Sequence, residues 1–509
     1  MPAIVTQTFK NRQVDAFLNF LSDKNAYIFV GNPYQWEDET SPPIPVDNDG
    51  SFFNVWDKVY GLKLVPQGSY GKVIRRRDWR PGDVYDIYST NMGPIEETSF
   101  YVMHEYNVYK CIWNNDGSPS TDPPTGTDNL FETNDGYVWA FMYTIDTSNA
   151  QKYLTPEYMP VIIDSAVQQN AEMSTGIVTG VRVIDPGTGF TSIDATSPGM
   201  SRAAELYPTM NASGGIESVE VIDGGSGYST PVSVVVTGNG VGASLVATVS
   251  GDGRISSITV GNSGTGYIQP AIDITAGSGT GFHAIPVIQN GQLTRVHIKE
   301  GDEGDGYTFL SLAVVGGADA AVEPILAPIL GHGYNAEEEL GASNIMFTAL
   351  FSPSEVAGYI PPNNQYRDLG LILDPEVNPA TMAEPMEGVI FENPVGTNLV
   401  KLKQHLTSEG TFLRNELIRD TVTNALGKIV HWDEAAGEVW LIRTQQENFI
   451  PFTVGHIVEG TDLGKQFQVA EIIEPGVAKY TGQIHYIEQR EPVQRTASQF
   501  EEIKIVIEF

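Results

Sequence analysis

The chain predicts a mostly β protein of several domains: a sandwich- or barrel-like core with one short N-terminal helix, plus an inserted β-repeat domain and a second small inserted β domain. Three observations carry that expectation. At 509 residues the chain exceeds what one ordinary hydrophobic core organises. Its 52 Gly and 31 Pro stand beside 22 Tyr and 21 Phe, a composition of short strands and many turns. Finally, a strand–turn–strand unit recurs between 170 and 330, the mark of a repeat architecture.

Residues 11–22, NRQVDAFLNFLS, place Val14, Phe17, Leu18 and Leu21 at helical spacing. From 26 to 165 short strands follow, among them AYIFVG, KVYGLKLV, SFYVMHEYNVYKCIW and GYVWAFMYTI, and these complete a first segment, 1–169. The loops between them, such as DETSPPIPVDNDGS, owe their Pro and Asp to turn chemistry. The repeats occupy 170–330. Residues 331–384 return to the earlier style. The tract 385–475 alternates apolar residues in runs of five to seven, as in a small barrel or sandwich. The last segment, 476–509, ends in a strand with Ile503, Ile505, Ile507 and Phe509 on one face.

The repeats raise a choice. PGTGF at 186–190, DGGSGY at 223–228, NSGTGY at 262–267 and EGDGY at 303–307 read either as phosphate-cradling loops or as turns of a scaffold. Their closing aromatics, Phe190, Tyr228, Tyr267 and Tyr307, are 38, 39 and 40 residues apart. Alternating segments (GVRVID, IESVEVID, ISSITVGN, LTRVHIKE) precede the turns, and no helical run follows them as a phosphate loop requires. The scaffold reading wins: glycine supplies positive φ, and the aromatic packs over a neighbouring strand.

Charge and chemistry narrow the function. The 29 basic against 63 acidic residues leave a net charge of −34, which repels nucleic acid and anionic membranes and suits solubility or docking onto basic neighbours. A single cysteine, Cys111, allows no intrachain disulfide and fits a reducing cytoplasm. The N-terminus has no signal-peptide pattern, and no stretch of 18 apolar residues offers a membrane span. The eight histidines are scattered without H-x-x-x-H or H-x-H spacing, which leaves a zinc hydrolase unsupported, and there is no G-x-S-x-G elbow. The 63 acidic residues leave a carboxylate pair open, but with no spaced nucleophile, base or metal cluster the expectation is no metal, cofactor or enzymatic site. HEYNVYKC, 104–111, reads as one strand with His104, Tyr106, Val108 and Lys110 on a face. VDNDGS, 46–51, reads as a turn, since a calcium loop counted from Asp47 meets Lys58 where a bidentate Glu is required. The dense basic cluster is VIRRRDWRPGD, 73–83. Its Arg75, Arg76, Arg77, Trp79 and Arg80 either pair internally with Asp78 or Asp83, or form an arginine-rich contact with an acidic subunit surface.

Six segments in order resemble one known family: AIVTQTFK at 3–10, RRDW at 76–79, DGYVWAFMYTI at 135–145, YRDLGLILDP at 366–375, GQIHYIEQREPV at 482–493 and EEIKIVIEF at 501–509. The family is the gene-eight-type baseplate wedge protein of T-even-like contractile-tailed bacteriophages. The six segments frame about half of the chain. The 170–330 repeats and the 385–475 tract look like additions to the family's wedge core, and Gly-Tyr repeats of this kind are familiar from cyanophage structural proteins. The resemblance implies a non-enzymatic, β-rich structural subunit that forms a homodimer and binds other wedge subunits. It would be assembled in the host cytoplasm into the virion tail baseplate. It offers no catalytic residues to carry over. The competing reading is a tail receptor-binding protein whose repeats grip carbohydrate; it requires Tyr228, Tyr267 and Tyr307 to face solvent.

Overall fold

The computed structural model of the chain describes residues 3–90, 92–115, 117–171, 175–405, 411–444, 447 and 449–509. Strands dominate, helices are few, and the strands form several sheets and one small closed barrel, as the composition predicts. Two compact units divide the elements. Met1–Ile74, Ser148–Leu154 and Ala342–Phe509 make the first; Arg75–Thr147 and Thr155–Gly341 make the second.

In the first unit, Ala26–Gly31 is the centre of a five-stranded antiparallel sheet in the order Val395–Thr397, Val59–Leu64, Ala26–Gly31, Gln365–Leu373, Gln483–Gln494. AYIFVG shows no polar alternation because both faces are covered: Ile28 and Val30 enter one apolar cluster, Tyr27 and Phe29 another. The helix Gln7–Leu21 starts four residues before the predicted one, because its N-cap is Thr6, whose hydroxyl accepts from the Phe9 N–H at 3.3 Å. Val14 and Leu21 are buried, with Phe17 and Leu18 packed beside them. A second helix, Asp49–Lys58, corrects the reading of VDNDGS as a turn. Asn48 caps it by accepting from the Ser51 N–H at 2.8 Å, and Val55 and Trp56 anchor it in the core. The last strand, Glu501–Glu508, pairs along its whole length with Asn344–Phe351, which pairs on its other side with Tyr70–Arg75.

The barrel closes six strands in the order Val400–Gln404, Glu438–Ile442, Leu426–Asp433, Leu417–Asp420, Ile457–Gly460, Gln466–Ile473. It contains a duplication that the sequence reading missed. Residues 411–433 and 451–473 run through the same succession of turns and strands, and the positive-φ positions Asn415 and Asn424 recur as Gly455 and Gly464. The copies meet along paired strands in which Ile418 faces Gly460, Arg419 faces Glu459 and Asp420 faces Val458, so equivalent residues cross about a local two-fold. Ile418, Ile429, Val458 and Val469 are matched core positions.

The second unit begins with a four-stranded sheet, Tyr101–His104, Asn107–Asn114, Tyr137–Thr144 and Leu130–Glu132. HEYNVYKC is therefore not one strand. Glu105 and Tyr106 both adopt positive φ (49° and 66°) and form a two-residue hairpin turn, with His104 opposite Asn107. Neither residue is the Gly or Asn that normally marks such a turn, which is why the sequence hid it.

Between Val178 and Leu326 strands alternate with glycine-rich connections and pair antiparallel. Both glycines of each Gly-X-Gly turn have positive φ, from Gly187 and Gly189 to Gly304 and Gly306. Asp185, Asp223 and Asn262 accept from the N–H two residues on, fixing the turns of three repeats. The closing aromatics cover other glycines. A Cβ at Gly240 would lie 2.3 Å from the Tyr267 ring, one at Gly279 2.6 Å from Tyr307, and one at Gly317 2.6 Å from Phe190. The first turn's aromatic thus rests on a glycine that follows the last turn. The first strand, Val178–Thr188, likewise pairs with the last, Ala318–Leu326, placing Val178 opposite Leu326.

Candidate subunit interface

Residues 77–79 run beside the strand Tyr101–His104: the Met103 N–H donates to the Arg77 carbonyl and the Trp79 N–H to the Met103 carbonyl. This extended path splays successive side chains apart. Arg75 is exposed, its guanidinium 4.5 Å from the centre of the Tyr158 ring. Arg76 pairs with Asp78 at 2.9 Å and donates to the Thr155 carbonyl at 3.1 Å. Arg77 lies 5.4 Å from the Tyr101 ring and donates to the Ser99 hydroxyl and the Glu96 carbonyl. Trp79 donates to the Ser120 hydroxyl at 3.0 Å and meets His104 edge to face. Arg80 is exposed, and its N–H donates to the Tyr85 hydroxyl. The segment therefore divides: Arg76, Arg77 and Trp79 are half-buried, while Arg75, against the Tyr158 ring, and Arg80 are exposed.

Two ion pairs of buried cations, Arg367 with the half-exposed Glu39 and Lys110 with the buried Glu339, escaped the sequence reading. Arg367, 1% exposed, holds both carboxylate oxygens of Glu39, at 2.7 and 2.8 Å. Lys110 is fully buried against Glu339, and its ammonium lies 4.2 Å from the Tyr88 ring centre. Glu339 also accepts from the Gly333 and Asn335 N–H groups. A charged residue inside an apolar strand run (Arg367 in QYRDLGLIL, Lys110 in NVYKCIW) was the available signal.

Cys111 is buried, and desolvation pushes its thiol well above the ordinary range, away from the thiolate form. Among the described residues no group of three His, Cys, Asp or Glu is placed to hold a metal ion, and no helix is long and apolar enough to cross a membrane. The repeat aromatics are interior. Phe190, Tyr228, Tyr267 and Tyr307 are 0%, 4%, 6% and 3% exposed.

No protein-family model matches the chain. Among curated proteins, it is similar to the "Baseplate wedge protein gp8" of Enterobacteria phage T4. The two are 27% identical over 204 residues, which cover 31% of this chain and 60% of that protein.

Proposed function

We propose that the chain is a structural, non-enzymatic subunit of a contractile-tail baseplate wedge, a homodimer joined to other wedge subunits by protein–protein contacts. The observation that carries this reading is the partial likeness to the phage T4 wedge protein. In this view the protein is assembled in the host cytoplasm, and 170–330 and 385–475 are insertions into the wedge core, the first drawn from the repeats that cyanophage structural proteins carry. The ladder that sets Val178 opposite Leu326 supports the first insertion, because the chain enters and leaves the repeats side by side. A barrel closed within Val400–Ile473 supports the second. The carbohydrate reading loses its platform, since rings that bind sugar must face solvent and these are buried.

Mass spectrometry of purified virions, with antibody labelling of the tail tip, tests the reading. Presence at the baseplate end is expected; a chain absent from virions, or present only in the head, overturns it. Within the wedge, Arg75 and Arg80 are the outward contacts. Replacing both with Ser should shift the melting temperature by no more than a few degrees while weakening wedge association, the wild-type contact itself fading at high salt. A destabilised variant that still associates normally would return the segment to a purely internal role.

A further inference from the structure

A cavity of about 580 Å³ opens in the second unit between two short stretches of chain. Tyr88, Met92 and Ile95 form one side; Pro328, Ile329 and Leu330 form the other. The volume falls within that of ligand pockets, about 300–1,000 Å³. Its rim is apolar where water would reach it: Ile329 is 75% exposed and Leu330 49%. Single exposed apolar side chains are ordinary, but two adjacent ones at the mouth of an apolar cavity form a continuous contact surface.

Charge decides what fits there. At the floor, the Lys110 ammonium is neutralised by Glu339, and Glu339 lines the cavity with its remaining bonds satisfied by backbone N–H groups. The floor therefore adds rigidity and no net charge. Glu338 lines the cavity and is exposed; Glu337 precedes it in the chain, and the exposed Glu96 and Glu97 follow the lining residue Ile95. No Lys or Arg is among the described lining residues. The nearby arginines are engaged: Arg77 with the Glu96 carbonyl and Ser99, and Arg182 with Glu323, whose carboxylate also accepts from Ser89.

We propose that this cavity docks a bulky apolar side chain that a neighbouring subunit presents between Lys or Arg residues. The inference rests on the structural-subunit reading and names the chemistry of one partner contact. An apolar anchor fills the cavity and covers Ile329 and Leu330, and flanking cations meet the acidic mouth. A second copy of the chain, carrying its own −34, is the less complementary occupant. A neutral small molecule leaves the exposed Glu338 carboxylate and the acidic residues beside it in the chain without a role.

The test uses the full-length protein and three fluorescein-labelled octapeptides. The first has a Leu-Phe centre flanked by Lys and Arg, the second replaces the basic residues with Glu, and the third replaces Leu-Phe with Ser-Ser. Fluorescence anisotropy should show the first binding at least tenfold more tightly than either control. Ile329→Ser with Leu330→Ser should weaken it at least tenfold. Glu97→Gln with Glu338→Gln should weaken it several-fold and flatten its salt dependence. All four side chains are at the surface, so melting curves should stay superimposable. Equal binding of the three peptides, no saturable binding, or unchanged affinity in the Ser pair overturns the proposal. So does a dimer that dissociates in the Ser pair, which would make the cavity a self-contact. None of these results removes the chain from virions, so failure here is separable from failure of the wedge reading.

Discussion

Lys479 is held inside the first unit by the Arg443 carbonyl, to which its ammonium donates at 2.6 Å, with the Asp57 carboxylate 3.9 Å away. Burial lowers its pKa from 10.5 to about 8, assisted by the Arg443 charge and opposed by Asp57 and Glu447. The folded value lies below the unfolded one. Between about pH 8 and 10.5 the unfolded chain therefore keeps a proton that the folded chain has released, and stability rises with pH across that window. Each tenfold change in proton affinity is worth about 1.4 kcal/mol, so the rise is on the order of 3 kcal/mol at most. Lys479→Met should abolish it, which urea unfolding of both proteins through this range would read. Parallel stability curves would mean the ammonium is hydrated and unperturbed. Single residues of this kind were the least legible part of the sequence. Arg367 stands out as an arginine in an apolar strand, but its partner Glu39 is 328 positions away, a pairing that only the fold creates.

At the scale of elements, each repeat turn couples two glycines to an aromatic, and the aromatics are not equivalent. The Tyr228 hydroxyl accepts from the Ala204 N–H at 2.7 Å and donates to the Ala195 carbonyl at 3.1 Å, both in the interior. Tyr228→Phe should therefore cost about 1–3 kcal/mol, the penalty for stranding buried polar groups. Tyr267→Phe should be close to neutral, because the ring's contact with Gly240 survives. Equal losses in denaturant melts would mean the hydroxyl bonds do not matter. The terminal strand offers a second expectation. Ile503 and Ile505 are 5% and 1% exposed, while Ile507 and Phe509 are only partly buried against the same cluster. The two buried side chains alone contribute roughly 3–6 kcal/mol, a large part of the about 5–15 kcal/mol that holds a domain together. Truncation after Gln499 also strips Asn344–Phe351 of a partner along its whole length, so insoluble or protease-sensitive protein is expected. A soluble, protease-resistant truncation would make the strand dispensable. Both features were readable because their periods are strict: two along the strand, 38 to 40 between the turns. The barrel's duplication was not, because its copies preserve backbone conformation and apolar class while residues change, as when Asn415 and Asn424 become Gly455 and Gly464.

At the scale of the whole molecule, the sequence marked where the style of the chain changes but not how contacts would group the pieces. Residues 75–147 cluster with the repeats, while 26–74 cluster with the C-terminal third, although all read alike as short aromatic strands. Local pattern reports strand and turn; the partner of a strand is a non-local fact. The repeat region nevertheless has its own interior. Its two apolar clusters, one around Phe190 and Tyr307 and one around Tyr228 and Tyr267, draw every member from 178–326. The neighbouring aromatic cluster around Tyr109 and Trp139 draws every member from outside it. Antiparallel partners such as Val178 and Leu326 sit about 5 Å apart, so a two-glycine link can replace everything between them without moving the ends. The excised protein should stay soluble and keep the buried Lys110–Glu339 pair. Its remaining cores should melt within a few degrees of the intact protein, because their apolar clusters are separate from those of the repeats, although bonds such as Ser89 to Glu323 and the Tyr307 N–H to the Gly176 carbonyl are cut. The segment 178–326 expressed alone should fold with its own transition and protect its Gly-X-Gly turns from amide exchange. Two insoluble products would mean that the clusters on either side of the cut stabilise one another and that the repeats belong to the founding core.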